Sequence, residues 1–158
     1  NIIVEGANGG LHTNYAGKAR AAVKALTEDG YDFVYVHIEA PDEMGHQGSA
    51  EDKIKAIEYI DDQVIGPVAD ALRGSEVDFR MLILPDHPTP VRVRTHTSDP
   101  VPYLLYDSTK AQEGCSVYSE KTGRESGKML EEGYRLIDHL LNLDLWGSRS
   151  VGETFENR

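Results

Sequence analysis

Residues 31–46 read YDFVYVHIEAPDEMGH, and the predicted fold depends most on these residues. Its first part is rich in β-branched and aromatic residues with little clean alternation, which is typical of a strand buried on both faces of a sheet. Pro41 ends the run, and Asp42 and His46 follow it. Because ligands of open α/β sheets lie beyond the carboxyl ends of strands, Asp42 and His46 are predicted to lie where a site is built.

The length and composition of the chain predict one compact unit. A chain of 158 residues can bury a sizeable core. Its 16 Lys and Arg residues against 27 Asp and Glu residues give a net charge of -11, which disfavours nucleic acid and anionic membranes and attracts cations. The single cysteine, Cys115, excludes an internal disulfide. Without a visible signal peptide or a long apolar run, the chain is predicted to be cytoplasmic.

Strands and helices alternate along the rest of the sequence. We predict a helix at about 14–28 with Asn14 as its N-cap, and an amphipathic helix that begins after Ser49, is interrupted at Pro67 and ends at Gly74. Further strands are predicted at 79–84 and 101–106, a loop at 88–102 and a last helix at 134–141. The alternation predicts an α/β fold, with a mostly parallel sheet and flanking helices in three layers. Residues 1–142 are assigned to this core, and 143–158 to a polar C-terminal tail.

Three short groups of acidic and histidine residues follow the predicted strands. They are Asp42 with His46, Asp86 with His87, and His96 in the next loop. Carboxylate oxygens and imidazole nitrogens together suit divalent ions such as Mn²⁺ or Zn²⁺, and this many ligands is enough for two ions. Either pair by itself is common in proteins that bind no metal. The chain has six histidines, and three of them fall at predicted strand ends or in loops. This placement favours a metal site.

The segments around these groups resemble a known family. They are APDEMGH at 40–46, LPDHPTP at 84–90, RTHT at 94–97 and DPVP at 99–102, together with Thr13-Asn14-Tyr15 before the first helix. In order and spacing they resemble the cofactor-independent (2,3-bisphosphoglycerate-independent) phosphoglycerate mutases of the archaeal-type branch, within the alkaline phosphatase superfamily. The resemblance runs from about Thr13 to Leu141, and it implies that the chain is the C-terminal part of an alkaline-phosphatase-like core.

The resemblance also implies a two-metal phosphotransfer site. Asp42, His46 and His96 would ligate one ion, and Asp86 with His87 the other. Mn²⁺ is the expected metal, with Zn²⁺, Mg²⁺ and Co²⁺ as alternatives. No residue of this chain is assigned a catalytic role, because the family's serine nucleophile and a further metal-ligating aspartate belong to an N-terminal region that the chain does not contain.

The implied function is that of a glycolytic isomerase. The full-length protein would interconvert 3-phosphoglycerate and 2-phosphoglycerate through a phosphoserine intermediate. The partners would be the phosphorylated substrate and the N-terminal remainder of the protein, and this chain by itself is expected to be inactive. Two alternatives stay open: another phosphotransferase or phosphatase of the superfamily, including a proposed homoserine kinase, or a metal-binding fragment without catalysis.

Several other polar residues invite functional interpretations. Arg92 and Arg94 flank His96, where they would either meet an anionic substrate or cover acidic surface. His37 lies inside the predicted first strand and is expected to pack there rather than to ligate a metal. Lys18 follows a helix start and is expected to be solvated.

Overall fold

The structure is a computed structural model that describes residues 1–110 and 114–141. The described residues form two compact units. The first combines Asn1–Phe79 with Pro85–Val101, and the second combines Arg80–Leu84 with the described residues from Pro102 onward. The assignment of 1–142 to a single core stays a prediction. The predicted tail at 143–158 lies outside the described residues.

The first unit contains four α-helices. Two of them begin as the sequence predicts, because a side chain caps each one. The Asn14 side chain accepts a hydrogen bond from the amide of Gly17, and Ser49 accepts one from the amide of Asp52. Such caps satisfy amides that have no partner inside the helix. The helices are α1 (Tyr15–Thr27), α2 (Ala40–Gln47), α3 (Ala50–Ile60) and α4 (Gly66–Gly74).

The predicted interruption near Pro67 is a wide helical turn. Residues Asp61–Ile65 form a π-helical segment between α3 and α4, and Pro67 lies in the first turn of α4. Proline has no amide to donate, so the i to i−4 hydrogen bond is missing at this position, and the wider turn comes directly before it, where the Gly66 amide donates to the Asp61 carbonyl oxygen. The helix then ends at Gly74. Both predictions for this region are confirmed.

The core of the first unit is built largely from small side chains. The helix α1 contacts α4 and the π-helical segment, and α2 contacts α3. Because alanine projects little beyond the helix backbone, α1 can approach its neighbours closely. The buried apolar residues of this unit are Tyr15, Ala19, Ala22, Ala25, Ala40, Met44, Ala56, Val64, Val68, Ala69 and Leu72.

The segment at 31–39 differs most from the prediction. It contains neither helix nor strand, and it leads directly into α2. Val34 and Val36 are half-buried, whereas Phe33 and Tyr35 are 48% and 71% exposed. The prediction of a strand buried on both faces is therefore wrong for the described chain. A strand needs a hydrogen-bonded neighbour, and the described residues offer none to this segment.

The described sheet has two strands, β1 (Arg80–Ile83) and β2 (Leu104–Asp107), both in the second unit. They are antiparallel, with Arg80 opposite Asp107 and Ile83 opposite Leu104. The predicted strands are thus present, but the predicted parallel pairing is wrong. Parallel neighbours require a long crossover, usually a helix. The connection between β1 and β2 contains no helix, and the predicted three-layer sheet is not seen in the described ranges.

The rest of the second unit consists of short helices, α5 (Glu120–Glu125) and α6 (Leu136–Leu141). A 3₁₀ turn at Gly133–Arg135 precedes α6, so the predicted last helix is confirmed for most of its length. None of the described helices is long and apolar enough to cross a membrane.

Asp107 is a buried carboxylate at the end of β2, with 1% of its surface exposed. It accepts hydrogen bonds from the amide and the hydroxyl of Thr109, at 2.9 and 2.6 Å. Its other oxygen lies 3.4 Å from Nε of Arg80 on the paired strand. A charge-assisted network therefore holds the end of the sheet together.

Candidate metal centre

Asp42, His46 and His96 come together within the first unit. Asp42 and His46 lie one helical turn apart on α2, and therefore project from the same face. The two Nε2 atoms of His46 and His96 are 3.1 Å apart. The Asp42 carboxylate lies 3.3 Å from each of these nitrogens. One ligand atom from each residue can be chosen so that all three lie within 4.8 Å of one another.

These distances fit the binding of one metal ion. Two ligands about 2.0–2.1 Å from an ion in tetrahedral geometry lie about 3.3 Å apart, which matches the observed separations. One carboxylate and two imidazoles are ligands that suit Zn²⁺ and Mn²⁺. The His96 side chain is 50% exposed, so solvent or a substrate can reach the group. The three residues could therefore hold an ion and leave a coordination position open.

Asp42 and His46 lie on a helix rather than in a loop after a strand. Pro41 occupies the first turn of α2, and Gly48 ends the helix in a left-handed conformation with φ of 77°. Proline at the start and glycine after the end are recognised helix signals. They are the sequence features from which this short helix could have been predicted.

The ring of His46 is fixed by the backbone of the loop that carries His96. Nδ1 of His46 lies 3.0 Å from the carbonyl oxygen of Arg94. A carbonyl oxygen can only accept, so Nδ1 carries the hydrogen and donates it. In the neutral ring, the lone pair of Nε2 then faces Asp42 and His96. This is the orientation that a metal-binding histidine requires.

Asp42 is held by Thr89, a residue that sequence reasoning did not single out. The Thr89 hydroxyl donates a hydrogen bond to Oδ1 of Asp42, and Thr89 is only 3% exposed. Nζ of Lys53 donates to the Thr89 carbonyl oxygen at 2.6 Å. Partial burial raises the pKa of Asp42, but the Thr89 hydrogen bond and the surrounding imidazoles outweigh it and hold the pKa below its usual range. Asp42 is therefore ionised at neutral pH.

Replacing Thr89 with valine is expected to weaken metal binding by about 10-fold to 100-fold, which is typical when a partner of a metal ligand is removed. The shape of the side chain is kept, whereas the hydroxyl that orients Asp42 is lost. The measurement is isothermal titration with Mn²⁺. Thr89→Ser is the matched control, since it retains the hydroxyl and should keep most of the affinity. Equal affinities for the valine and serine variants would contradict this role.

Asp86 and His87 lie beside the first group. The rings of His87 and His96 have centroids 3.7 Å apart and are tilted by 33°, and Nδ1 of His87 is 3.9 Å from Oδ1 of Asp42. Its Nε2 lies 3.3 Å from Oδ2 of Asp86, and its amide donates to Oδ1 of Asp86 at 3.0 Å. All five residues predicted as ligands therefore occupy one region of the first unit. Their division between two ions stays a prediction.

His37 differs from its prediction. Because the segment around it has no paired strand, the side chain is exposed rather than packed in a sheet. Its Nε2 lies 3.6 Å from Oε1 of Glu39, and its carbonyl oxygen accepts a hydrogen bond from Nζ of Lys18 at 2.6 Å. The Lys18 side chain thus ties the start of α1 to the segment before α2.

Comparisons with known proteins give the chain a family context. The chain matches the Metalloenzyme superfamily over residues 1–138. It is 46% identical over 144 residues to a protein from Geobacter sulfurreducens named probable 2,3-bisphosphoglycerate-independent phosphoglycerate mutase, with 89% of this chain and 35% of that protein covered. It is 48% identical over 142 residues to 2,3-bisphosphoglycerate-independent phosphoglycerate mutase 2 from Methanothermobacter thermautotrophicus. That match covers 90% of this chain and 34% of the relative. The chain thus spans about a third of the length of these relatives.

A solved structure shares the fold. The PH0037 protein from Pyrococcus horikoshii is 28% identical to this chain and superposes with a TM-score of 0.73. The match covers 95% of this chain and 44% of that one. Both kinds of comparison therefore relate nearly all of the chain to part of a longer protein.

Proposed function

The chain belongs to the metalloenzyme superfamily, and we propose that it supplies the metal-binding part of a 2,3-bisphosphoglycerate-independent phosphoglycerate mutase. The observation that carries the proposal is the group formed by Asp42, His46 and His96, whose ligand atoms lie within 4.8 Å of one another. The mutase names of the relatives support the choice of reaction. Family membership also assigns the chain to the alkaline-phosphatase-like metalloenzyme fold.

The proposed site holds two divalent ions. Asp42, His46 and His96 would hold one of them, and Asp86 with His87 would contribute to the other. Mn²⁺ is the proposed metal, since a mixture of carboxylates and imidazoles suits it, and Zn²⁺, Mg²⁺ and Co²⁺ are alternatives. Bound divalent ions neutralise charge on phosphoryl oxygens and lower the pKa of an attacking hydroxyl.

The side chains of this chain have separate tasks in the proposed site. Asp42 contributes negative charge, and the Thr89 hydroxyl keeps its carboxylate in one orientation. In its neutral form, His46 presents the lone pair of Nε2, because its Nδ1 donates to a backbone carbonyl. His87 packs against the ring of His96 and limits its rotation. The group is thus oriented before any ligand arrives, which lowers the cost of binding.

The proposed substrate of the whole protein is phosphoglycerate. The phosphoryl group would leave the 3-oxygen of glycerate for a serine oxygen, and would then move from serine to the 2-oxygen. Each transfer breaks one phosphorus–oxygen bond and forms another, so the overall reaction is an isomerisation. We propose that the serine lies in the part of the protein that this chain does not span. The chain carries a net charge of -11, so bound cations would also offset the repulsion of an anionic substrate.

A chimera tests this proposal. The third of the Geobacter sulfurreducens relative that matches this chain would be replaced by the chain, and conversion of 3-phosphoglycerate to 2-phosphoglycerate would be measured with added Mn²⁺. We expect the chimera to be active and its Asp42→Asn form to be at least about 100-fold slower, because a metal supplies several kcal/mol of charge stabilisation. A folded chimera that binds Mn²⁺ but does not convert the substrate would contradict the proposed reaction.

A further inference from the structure

We propose that Arg94 and Gly48 act as a positioning pair for His46. The Arg94 backbone fixes the tautomer in which Nε2 of His46 faces Asp42 and His96, and Gly48 provides the space that the Arg94 side chain occupies. This inference rests on the proposed function in one respect, namely that His46 serves as a metal ligand. It adds two residues to the site, neither of which is itself a ligand.

The first observation is the backbone conformation of Arg94. Its φ is +58°, a left-handed value that residues with a side chain rarely adopt. The amides of Val93 and Arg94 both donate to the carbonyl oxygen of Pro90, at 2.9 Å each. This tight turn directs the Arg94 carbonyl oxygen to Nδ1 of His46, 3.0 Å away. The unfavourable conformation is therefore held at the point where the loop meets a proposed metal ligand, as is common at functional sites.

The second observation is the packing between Arg94 and Gly48. A Cβ atom at Gly48 would overlap Nε of Arg94 and lie 2.6 Å from its Cζ. The guanidinium group therefore lies against the glycine that ends α2, two residues after His46. Helix carbonyls at this end carry partial negative charge, which favours a cation there. The Arg94 side chain thus packs on the end of a helix, whereas its contact with an anionic substrate or with acidic surface stays a prediction.

The two contacts also couple His46 to His96. Arg94 lies two residues before His96, and the loop is closed where the amide of Thr97 donates to the carbonyl oxygen of Pro88 at 3.1 Å. The Arg94 carbonyl joins this loop to α2 at His46, and the Arg94 side chain lies beside Gly48. In the proposal, the position of this carbonyl holds the Nε2 atoms of His46 and His96 at their separation of 3.1 Å, and the side chain only has to keep clear of the helix end.

The test compares Gly48→Ala with Gly30→Ala as its matched control. Both glycines have a positive φ, +77° and +76°, but a Cβ at Gly30 meets no heavy atom within 4 Å. Backbone strain is thus common to both variants, whereas the overlap with Arg94 is specific to Gly48. The readouts are Mn²⁺ affinity by isothermal titration and the tautomer of His46 by ¹⁵N nuclear magnetic resonance of the metal-free chain.

We expect Gly48→Ala to weaken Mn²⁺ binding by about 10-fold, the low end of the loss for a disturbed partner of a ligand, because the Arg94 side chain must move away from the new Cβ and shifts the loop with it. The His46 tautomer should shift as well, while Gly30→Ala changes neither. Adding Arg94→Ala to Gly48→Ala removes the overlap, so the double variant should recover most of the lost affinity and the original tautomer. If Gly48→Ala behaves like Gly30→Ala, or if the double variant recovers nothing, the proposal is overturned.

The wild-type spectrum gives a test that needs no variant. In the metal-free chain, the neutral His46 ring should carry its hydrogen on Nδ1. A neutral ring with its hydrogen on Nε2 would overturn the proposal even if Gly48→Ala does not fold. If the wild type has the expected tautomer but binds no Mn²⁺, the positioning pair stands and the proposed metal site fails, so the two failures are distinguishable.

Discussion

Replacing Asp42 with asparagine is expected to weaken Mn²⁺ binding at least about 100-fold. Removing a residue that only orients a metal ligand costs about 10-fold to 100-fold in affinity, and Asp42 is a proposed ligand itself, so its loss should be at least as large. Asparagine keeps the shape of the side chain and an oxygen that can accept from Thr89, but it removes the charge. The Asp42 carboxylate lies 3.3 Å from both Nε2 atoms of the group, so it is the charge closest to the proposed ion. Isothermal titration of the purified chain with Mn²⁺ measures the effect.

Asp52→Asn is the matched control for this result. Asp52 is also a helical aspartate in the first unit and also accepts a hydrogen bond from a hydroxyl, that of Ser49. Its replacement removes the same charge from the chain without touching the proposed ligands. We expect the affinity to stay within about 2-fold of the wild type, since exposed and half-exposed charges interact weakly across water. Equal losses in the two variants would mean that Mn²⁺ responds to net charge and not to the site.

Replacing Asp107 with asparagine is expected to lower the free energy of unfolding by about 1.5–3 kcal/mol at neutral pH, the usual worth of a hydrogen bond to a charged group. The hydrogen bonds from Thr109 lower the pKa of Asp107 most; burial opposes them, and the charges of Arg80 and Lys110 lower the pKa further. A carboxylate with a lowered pKa stabilises the fold above its unfolded pKa of about 3.9 and loses this contribution as the pH falls through the folded value.

The difference between wild type and Asp107→Asn should therefore be full at neutral pH and should shrink below about pH 4. Urea unfolding followed by circular dichroism at several pH values measures it. Asp70→Asn is the control, because Asp70 forms an ion pair with Arg73 on the surface, 3.0 Å apart, and such pairs contribute little. A difference that is independent of pH would show that packing, and not the charge of Asp107, is responsible.

The helices could be predicted from the sequence because their signals are local. Asn14 and Ser49 cap their helices through bonds to residues three positions on, and Pro67 marks the wide turn before α4. Each of these features depends on neighbours along the chain. They do not depend on which other part of the protein is nearby, so the sequence alone was sufficient to predict these helices.

The sheet could not be predicted in the same way. The segment at 31–39 has the composition of a strand, but a strand forms only when another one pairs with it. The described residues provide no such partner, and Phe33 and Tyr35 are exposed. For β1 and β2, composition predicted the strands but not their direction, because the direction depends on the path of the connecting loop.

The candidate site was predictable in part. The side chains of Asp42, His46 and His96 were identified from their chemistry and order, and the structure brings them together. Thr89 and Arg94 were not given their present roles, since one acts through a long-range hydrogen bond and the other through a backbone carbonyl. Backbone groups leave no trace in side-chain motifs, and only the fold shows where they point.

A crystal of the chain grown or soaked with Mn²⁺ would locate the bound ion by anomalous scattering. We expect an anomalous peak about 2.0–2.3 Å from the Asp42 carboxylate and from the Nε2 atoms of His46 and His96. An ordered crystal in which these three side chains contact no anomalous peak, or in which Mn²⁺ binds only elsewhere, would contradict it.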